Sequence, residues 1–262
     1  MKTFGLIGFP LSHSFSKKHF TEKFEKEHIL ECGYELFPID SISLFPALLE
    51  QHPSLCGLNV TIPYKVEVLP FLTEMDDAAA KIGAVNCIDI KTQGQNKILK
   101  GYNTDAFGFE ESLKPLLKLS KVSTLSTLST LSMPQHTKAL VFGNGGASKA
   151  VKYVLRKLNI DFLSVVRTKQ EGAILYSEIT NELLKTHTIL INTTPLGMTP
   201  NTEGYPELNY DAIGPDHLAY DLVYNPLETT FLKQAAKQGA VTKNGLEMLH
   251  LQAEQAWTIW NK

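Results

Sequence analysis

Short apolar runs alternate with segments of helical periodicity along the first part of this chain. The segment 16–28, for example, places Phe20 and Phe24 on one helical face. Acidic residues open two later helices, and Asp105 is predicted to cap the second of them. The predicted strands are 2–9, 34–39, 55–61, 84–91 and 98–102, and the predicted helices are 16–28, 44–51 and those that begin at 76 and 105. This alternation predicts an α/β fold.

A second α/β series starts at Lys138, where an apolar strand runs directly into a glycine-rich loop. Strands and helices alternate from there to a final helix that starts near Asn244. The predicted strands are 139–142, 162–166, 188–192, 217–223 and 241–242, and the predicted helices are 147–158, 228–238 and 244–260. Strands separated by helices are typical of a sheet with helices on its faces.

The two series predict two domains. Residues 1–105, completed by a C-terminal helix at 244–262, are expected to form an N-terminal α/β substrate domain with a mixed sheet. Residues 138–243 are expected to form a Rossmann-type dinucleotide-binding domain. Residues 106–137 are predicted to be a linker helix and a low-complexity loop. That loop holds a Ser-Thr-Leu tandem at 123–132, interpreted as a simple-sequence expansion; the alternative is a phosphorylated switch.

Composition and charge limit the classes of function. The chain is 43% hydrophobic and 20% charged, which is ordinary for a globular protein, and no apolar stretch has the length of a membrane span. A net charge of −2 creates no field that would attract nucleic acid or an anionic membrane. The chain has three cysteines, Cys32, Cys56 and Cys87, which is an odd number, and their spacing is not that of metal ligands. We therefore expect reduced cysteines, no metal site and a cytoplasmic location.

Two polar segments carry the strongest candidate chemistry. Asn59, Thr61 and Lys65 place an amide, a hydroxyl and an amine after an apolar run, on a turn that Pro63 stiffens. A second polar segment supplies the carboxylate of Asp105. A lysine held beside an aspartate, among neutral hydrogen-bonding groups, can move a proton on a polyhydroxylated substrate. The alternative is a solvated surface lysine and a helix-capping aspartate.

The segment 143–148 has the pattern of a dinucleotide-binding loop between a strand and a helix. Gly143 permits the tight turn, and Gly145 lets the backbone approach a pyrophosphate, which the amides of the helix N-terminus bind. Ser148 stands where the third glycine is usual.

The end of the next predicted strand discriminates between cofactors. NAD sites place an acidic residue there to bind the ribose hydroxyls, whereas an arginine suits the 2′-phosphate of NADP. This chain has Val166, Arg167, Thr168 and Lys169 at that point, without an acid. NADP is therefore the predicted cofactor. The alternative is that Arg167 and Lys169 are solvated charges on a loop.

Together these segments resemble the shikimate dehydrogenase family, and the resemblance covers nearly the whole chain in the family's order. The matching motifs are Ser14-Phe-Ser16, Asn59 to Lys65, Ala84-Val-Asn86, Gly101 to Asp105, Gly143 to Ala147, Asn192 to Met198 and Asn244 to Gln252. The chain departs from the family pattern at Val166, where Asn usually precedes the Arg, at Ala106, where Gly is usual, and in the tandem at 123–132.

The resemblance implies a role for each matched polar residue of the substrate domain. Ser14 and Ser16 are implied to bind the substrate carboxylate. The other implied substrate-binding residues are Asn59, Thr61, Asn86, Tyr224 and Gln252. From the residues alone, alternatives stay open. The two serines could cap the helix that follows them, Asn86 could satisfy a strand edge, and Gln252 could be a solvated helix residue.

The resemblance also implies the reaction and its machinery. Lys65 and Asp105 are implied to be the catalytic pair, with Asp105 also bound to a ring hydroxyl. The implied cofactor-binding residues are Gly143, Asn144, Gly145, Gly146, Ala147, Arg167, Thr168, Thr193, Gly245 and Met248. The implied reaction is NADPH-dependent reduction of 3-dehydroshikimate to shikimate, in aromatic amino-acid biosynthesis, by a monomer or homodimer. Alternatives are a quinate/shikimate dehydrogenase of broader specificity and a catalytically silent ligand-sensing homologue.

Overall fold

The computed structural model describes residues 1–11, 14–94, 96–119 and 138–262. The Ser-Thr-Leu tandem at 123–132 lies outside the described residues. The chain divides into two compact units. The first unit comprises Met1–Phe107 and Gln252–Lys262, and the second comprises Gly108–Leu251.

Strands and helices alternate along much of both units, as the sequence predicts, although a two-residue strand at Glu74–Met75 was not predicted. In the first part of the chain, strands β1 to β6 are Lys2–Gly8, Cys32–Pro38, Leu55–Val60, Glu74–Met75, Cys87–Gln93 and Asn96–Tyr102. In the second part, strands β7 to β12 are Lys138–Phe142, Asp161–Val166, Ala173–Leu175, Ile189–Asn192, Leu218–Asp221 and Val241–Lys243. Helices α1 to α8 are Phe15–Lys26, Phe45–Gln51, Asp77–Ile82, Thr104–Leu119, Gly146–Lys157, Asn181–Thr186, Thr230–Lys237 and Leu246–Trp260. The boundaries between the units fall inside α4 and α8.

The described part of the first unit contains a six-stranded sheet in the order β2-β1-β3-β5-β6-β4. Strand β1 runs parallel to β2 and β3, whereas β5 runs antiparallel to β3 and β6. The sheet is therefore mixed, which confirms the prediction. The polar loop after β3 and the start of α4, which follows β6 directly, carry the candidate chemistry of this unit.

Aromatic packing fixes the C-terminal helix on this sheet. Phe4 stacks on Trp260 with ring centroids 4.9 Å apart, and Phe20, on the predicted apolar face of α1, stacks on Tyr34 at 4.7 Å. A Cβ at Gly57 would lie 2.4 Å from Trp260 Nε1, so a side chain at this position of β3 would displace the indole. This packing holds the end of α8, and with it Gln252, in the first unit.

In the described part of the second unit, six parallel strands form a sheet in the order β9-β8-β7-β10-β11-β12. Counted within the unit, this order is that of a Rossmann fold, and the prediction is confirmed. Such folds bind nucleotides outside the carboxyl ends of the strands, near the point where the strand order reverses, here between β7 and β10. Strand β9 and helix α6 were not predicted, because three and six residues are too few to show a periodicity.

Candidate active site

Lys65 and Asp105 meet in the first unit although they are 40 positions apart in sequence. Lys65 lies on the loop after β3, and its carbonyl accepts a hydrogen bond from Val85 N at 2.7 Å. The Lys65 Nζ donates to Asp105 Oδ2 at 2.5 Å, and the two side chains are 17% and 10% exposed. A charge-assisted hydrogen bond with this little solvent contact holds the ammonium in one position. The geometry brings the two residues of the predicted pair together.

Asp105 does not cap α4, so the prediction of its capping role is wrong. The helix begins one residue earlier, and Asn103 Oδ1 accepts a hydrogen bond from Ala106 N at 3.1 Å. Asn caps a helix as well as Asp does, because both offer a side-chain oxygen to the first turn. The Asp105 carboxylate is therefore available to Lys65, and its charge lies in the first turn, where the helix dipole favours it.

Asn86, Thr104 and Gln252 form a buried polar network beside that carboxylate. Asn86 Nδ2 lies 2.9 Å from Asp105 Oδ1 and 3.0 Å from Thr104 Oγ1. It also lies 3.4 Å from Gln252 Oε1, which accepts from Thr104 Oγ1 at 3.3 Å. An amide has two protons, so these three acceptors compete for two donors. A hydroxylated ligand can therefore replace one of them without leaving a buried group unpaired.

Ser14 and Ser16 lie at the start of α1. Ser14 Oγ accepts a hydrogen bond from Lys17 N at 3.3 Å, so this serine does cap the helix. Ser16 is the second residue of α1, and the Tyr34 OH donates to Asn59 Oδ1 at 2.7 Å. Burial raises the pKa of the Tyr34 phenol well above its usual value. Tyr34 is therefore a neutral donor at physiological pH.

Asn59 and Thr61 lie at the end of β3. Asn59 is buried, and its Nδ2 donates to Asn86 O at 3.4 Å. Thr61 is half-buried, and its backbone N–H donates to Ile7 O at 2.9 Å. The structure thus connects Tyr34 to Asn86 through Asn59. Sequence reasoning did not single out Tyr34, because a tyrosine in an apolar strand has the same pattern as an ordinary core residue.

The predicted glycine loop joins β7 to α5 in the second unit. Gly143 has a φ of +102°, and a Cβ there would lie 2.9 Å from Thr193 Oγ1, so glycine is required. Thr193 is fixed beside the loop, because its Oγ1 donates to Phe142 O at 2.6 Å. Gly145 is the N-cap of α5 without a side-chain cap, and a Cβ there would meet no atom within 4 Å. The first N–H groups of α5 are consequently open to an anion.

The other residues of the glycine loop also fit anion binding at the start of α5. Gly146 and Ala147 begin α5, so their N–H groups belong to the set that a helix leaves unpaired. Ser148, at the position of the usual third glycine, is fully buried, and its Oγ donates to Gly145 O at 2.7 Å. The serine therefore fits the helix–strand packing. Asn144 extends its amide toward the loop after β8, where Nδ2 donates to Gln170 Oε1 at 2.5 Å.

Arg167 and Thr168 directly follow β8 and are exposed. Strand β8 lies parallel to β7, so the loop of Arg167 and the glycine loop open at the same edge of the sheet. Val166, the last residue of β8, is buried and offers no side-chain donor. An open helix N-terminus, a glycine loop and an arginine at the end of the second strand fit a dinucleotide with a 2′-phosphate.

Tyr224, Gly245 and Met248 also lie in the second unit, whereas the other predicted substrate-binding residues lie in the first. A Cβ at Gly245 would lie 2.1 Å from Leu222 O, so this close backbone approach requires glycine. Gly245 N donates to Val223 O at 3.1 Å. Met248 is buried in the first turn of α8, and Tyr224 is half-buried, which raises the pKa of its phenol.

A buried carboxylate organises the loops that carry Thr193 and Tyr224. Asp221, at the end of β11, accepts hydrogen bonds from Thr229 Oγ1 at 2.6 Å and Asn192 Nδ2 at 2.9 Å. It also accepts from the backbone N–H two residues on, at 3.0 Å. Burial raises the pKa of Asp221 to about 6, although these hydrogen bonds lower it. Sequence reasoning missed this residue; a carboxylate at the carboxyl end of an apolar strand was the signal.

Two negative findings apply to the described residues. In that part of the chain, no group of three or more His, Cys, Asp or Glu is arranged to hold a metal ion. Among the same residues, no helix combines the length and the apolar character needed to cross a membrane.

Comparisons with known proteins cover both units of the chain. Residues 6–88 match the family model of the shikimate dehydrogenase substrate binding domain. The shikimate dehydrogenase (NADP(+)) of Methanosphaera stadtmanae is 35% identical over 274 residues, which cover 98% of this chain and 90% of that protein.

Two solved structures share the whole fold. Shikimate 5-dehydrogenase from Thermus thermophilus, in complex with NADP(H) and shikimate, is 30% identical with a TM-score of 0.80, covering 99% of this chain and 93% of that one. Quinate dehydrogenase from Corynebacterium glutamicum, in complex with NAD, is 25% identical with a TM-score of 0.81 and the same coverage. The fold and the site define a dehydrogenase with a Rossmann-type nucleotide domain. The chain belongs to the shikimate dehydrogenase family.

Proposed function

We propose that this chain catalyses the reversible NADP-dependent reduction of 3-dehydroshikimate to shikimate, in the pathway to chorismate and the aromatic amino acids. The observation that carries the proposal is the Lys65–Asp105 hydrogen bond, beside neutral donors and acceptors, in a member of this family. A pocket of neutral hydrogen-bonding groups suits a small hydroxylated carboxylate, because an unmatched polar group in it would be costly.

The proton transfer is the part of the reaction that this chain's own residues perform. NADPH, when bound, supplies the hydride that reduces the carbonyl carbon. As the carbonyl oxygen gains negative charge, Lys65 Nζ donates a proton to it, and in the reverse direction the neutral amine accepts the hydroxyl proton. The Asp105 carboxylate accepts a hydrogen bond from Nζ and orients it. Asn86 donates to the other oxygen of that carboxylate and fixes its plane.

The substrate contacts follow from the hydrogen-bonding capacity of the first unit. Ser14 Oγ accepts from a backbone N–H, which leaves its hydroxyl proton available to the substrate carboxylate together with Ser16. Asn86 has more acceptors than protons, so a ring hydroxyl can take part in its network. The residues proposed to bind the substrate are Asn59, Thr61, Asn86, Asp105, Tyr224 and Gln252.

The cofactor contacts follow from the open edge of the second sheet. The residues proposed to bind NADP are Gly143, Asn144, Gly145, Gly146, Ala147, Arg167, Thr168, Thr193, Gly245 and Met248. The uncapped start of α5 would hold the pyrophosphate, and Arg167 would pair with the 2′-phosphate.

A quinate dehydrogenase that uses NAD is the competing activity, because one such enzyme has the same fold. The test is an absorbance assay of NADP and NAD reduction, each with shikimate and with quinate. We expect the highest kcat/KM with NADP and shikimate. A higher value with quinate would replace the proposed substrate. Ligand binding by calorimetry without any reduction would identify a silent sensor, which the Lys65–Asp105 pair disfavours.

We further propose that the chain acts in the cytoplasm as a monomer or homodimer, without a nucleic-acid or membrane partner. Three free cysteines, Cys32, Cys56 and Cys87, suit a reducing compartment, and a net charge of −2 gives no attraction to polyanions. Light scattering coupled to size exclusion measures the mass directly. A mass above that of a dimer would contradict the proposal.

A further inference from the structure

Lys152, on α5, is a partly buried cation beside the glycine loop. Its Nζ donates to Asn144 Oδ1 at 2.6 Å, and Asn144 Nδ2 donates to Gln170 Oε1 at 2.5 Å. We propose that Lys152 is a further specificity-determining residue, whose ammonium binds the same 2′-phosphate of NADP as Arg167. The inference rests on the proposed NADP dependence.

The position of these side chains supports the proposal. Helical side chains lean toward the helix N-terminus, so Lys152, in the second turn of α5, reaches back to Asn144 in the glycine loop. Gln170 lies three residues after Arg167, on the loop that follows β8. The Lys152–Asn144–Gln170 chain therefore joins the glycine loop to the Arg167 loop. In a Rossmann domain, this is where the ribose of the adenosine half lies.

The charge of Lys152 lacks a counter-charge in the part of the chain that the structure describes. Among the described residues, no carboxylate lies within salt-bridge distance of its Nζ, and its hydrogen-bond partner Asn144 is neutral. Burial lowers the pKa of Lys152, and neighbouring Arg156 lowers it further. A partly buried cation without an anion is unfavourable for the folded protein alone. A phosphate supplies the missing charge and accepts the two N–H donors that Asn144 leaves over.

The end of β8 explains why a second cation is useful in this chain. Val166 is buried and apolar, so the residue before Arg167 cannot donate to a phosphate. Arg167 itself is exposed, and its attraction to the phosphate is therefore screened by solvent. A cation from α5, less exposed and positioned by Asn144, adds a contact that solvent screens less.

The competing explanation is that Lys152 only shapes the glycine loop through Asn144. The two explanations differ in which ligands they affect. A loop-shaping role weakens every nucleotide equally, whereas contact with the 2′-phosphate weakens only nucleotides that carry it.

Calorimetry with adenosine 2′,5′-bisphosphate and with AMP separates these explanations without measuring turnover. We expect wild type to bind the bisphosphate more tightly than AMP. Lys152→Gln should weaken the bisphosphate about tenfold, as for one lost charge-assisted hydrogen bond, and leave AMP unchanged. Lys152→Arg, which keeps the charge, should retain the preference. Arg156→Gln is the matched control on the same helix, because its guanidinium lies 5.1 Å from the Phe162 ring, and it should change neither affinity.

Each other outcome has a defined meaning. If Lys152→Gln lowers the affinity for both ligands equally, or for neither, the proposed role of Lys152 is overturned, and the NADP preference stays intact. An equal effect of Arg156→Gln would mean that overall positive charge, not Lys152, is responsible. A wild type that does not distinguish the two ligands would refute the NADP preference itself, and the role of Lys152 with it. Thermal melting of each variant checks folding, and Lys152→Met replaces Lys152→Gln if the latter does not fold.

Discussion

The two units hold their candidate ligands by different means. In the first unit the site is made of side chains that bond one another, and Asn86, Thr104 and Gln252 are all buried. In the second unit it is made mainly of backbone, with glycine at position 143, where a Cβ would meet Thr193, and at position 145, where the space beside the backbone is open. A reacting centre needs one geometry set before the ligand arrives, which buried side-chain networks provide. A phosphate needs N–H groups and positive charge, which a helix N-terminus provides in any such fold.

This difference predicts different sensitivities. The first unit should be most sensitive to the removal of a functional group, and the second to the addition of a methyl group or the loss of a charge. The following predictions test that contrast, beginning with the largest expected effect on the reaction.

Lys65→Met should lower kcat by about a hundred- to ten-thousand-fold, the usual contribution of a positioned acid–base group. The substitution keeps much of the side-chain volume but removes the proton and the charge. Shikimate binding should weaken much less, because it depends on other groups. Steady-state kinetics and calorimetry measure the two effects, and Lys81→Met, at an exposed position of α3, is the control. Near-normal turnover would reduce Lys65 to a binding residue.

Asp105→Asn, made alone and in combination with Lys65→Met, tests whether the two residues act as one unit. We expect it to impair both turnover and binding, because Asp105 orients Lys65 and is proposed to hold a ring hydroxyl. Since the two side chains bond at 2.5 Å, the double variant should lose less than the product of the single losses. Strictly multiplicative losses would show that the two residues act independently.

Arg167→Ala should weaken NADP binding by about 1.5–3 kcal/mol, the range for a hydrogen bond to a charged group. NAD binding should change little, because NAD lacks the 2′-phosphate. The KM values for both cofactors measure the effect. Equal changes for NADP and NAD would show that Arg167 does not contact that phosphate.

Substitution by alanine should affect fold stability at Gly143 and cofactor binding at Gly145. Gly143→Ala should destabilise the fold by about 1–3 kcal/mol, since φ is +102° there. Gly145→Ala should leave the melting temperature unchanged, because its φ is −81° and the added methyl meets no protein atom. It should nevertheless weaken NADP binding by about 1–3 kcal/mol, the usual cost of overpacking a contact. Unchanged NADP affinity would mean that the cofactor does not approach Gly145.

Asp221→Asn should have the smallest effect on turnover and should mainly change the pH dependence of stability. The folded-state pKa of about 6 lies above the usual value of 3.8, so protonation favours the folded state. The contribution is fully present below about pH 4 and is lost as the pH rises through 6. Relative to Asp221→Asn, wild type should lose about 1–3 kcal/mol of unfolding free energy between these values, measured by urea denaturation. Parallel pH profiles would contradict the raised pKa.

Sequence patterns predicted the elements and the fold class well. The spacing of Phe20 and Phe24 predicted helix α1, and the glycines at 143–148 predicted the turn between β7 and α5. Both signals depend only on residues that are close together in the sequence. The alternation of strands and helices, together with the glycine loop, predicted the Rossmann-type class of the second unit, and the strand order came from the structure. The resemblance to a family added the proposed roles of Ser14 and Met248, which no local pattern carries.

Contacts between distant residues required the folded structure. Gln252 reaches Asn86 across 166 positions, and this contact depends on how α8 packs on the sheet. Asp105 had the pattern of a helix cap, yet Asn103 takes that role. Both residue types are good caps and they stand two positions apart, so the surrounding contacts decide which of them caps α4. Lys152 is connected to Gln170 through Asn144, and this connection depends on the adjacency of β7 and β8. Local periodicity determines which elements form, whereas strand order and register determine which side chains meet.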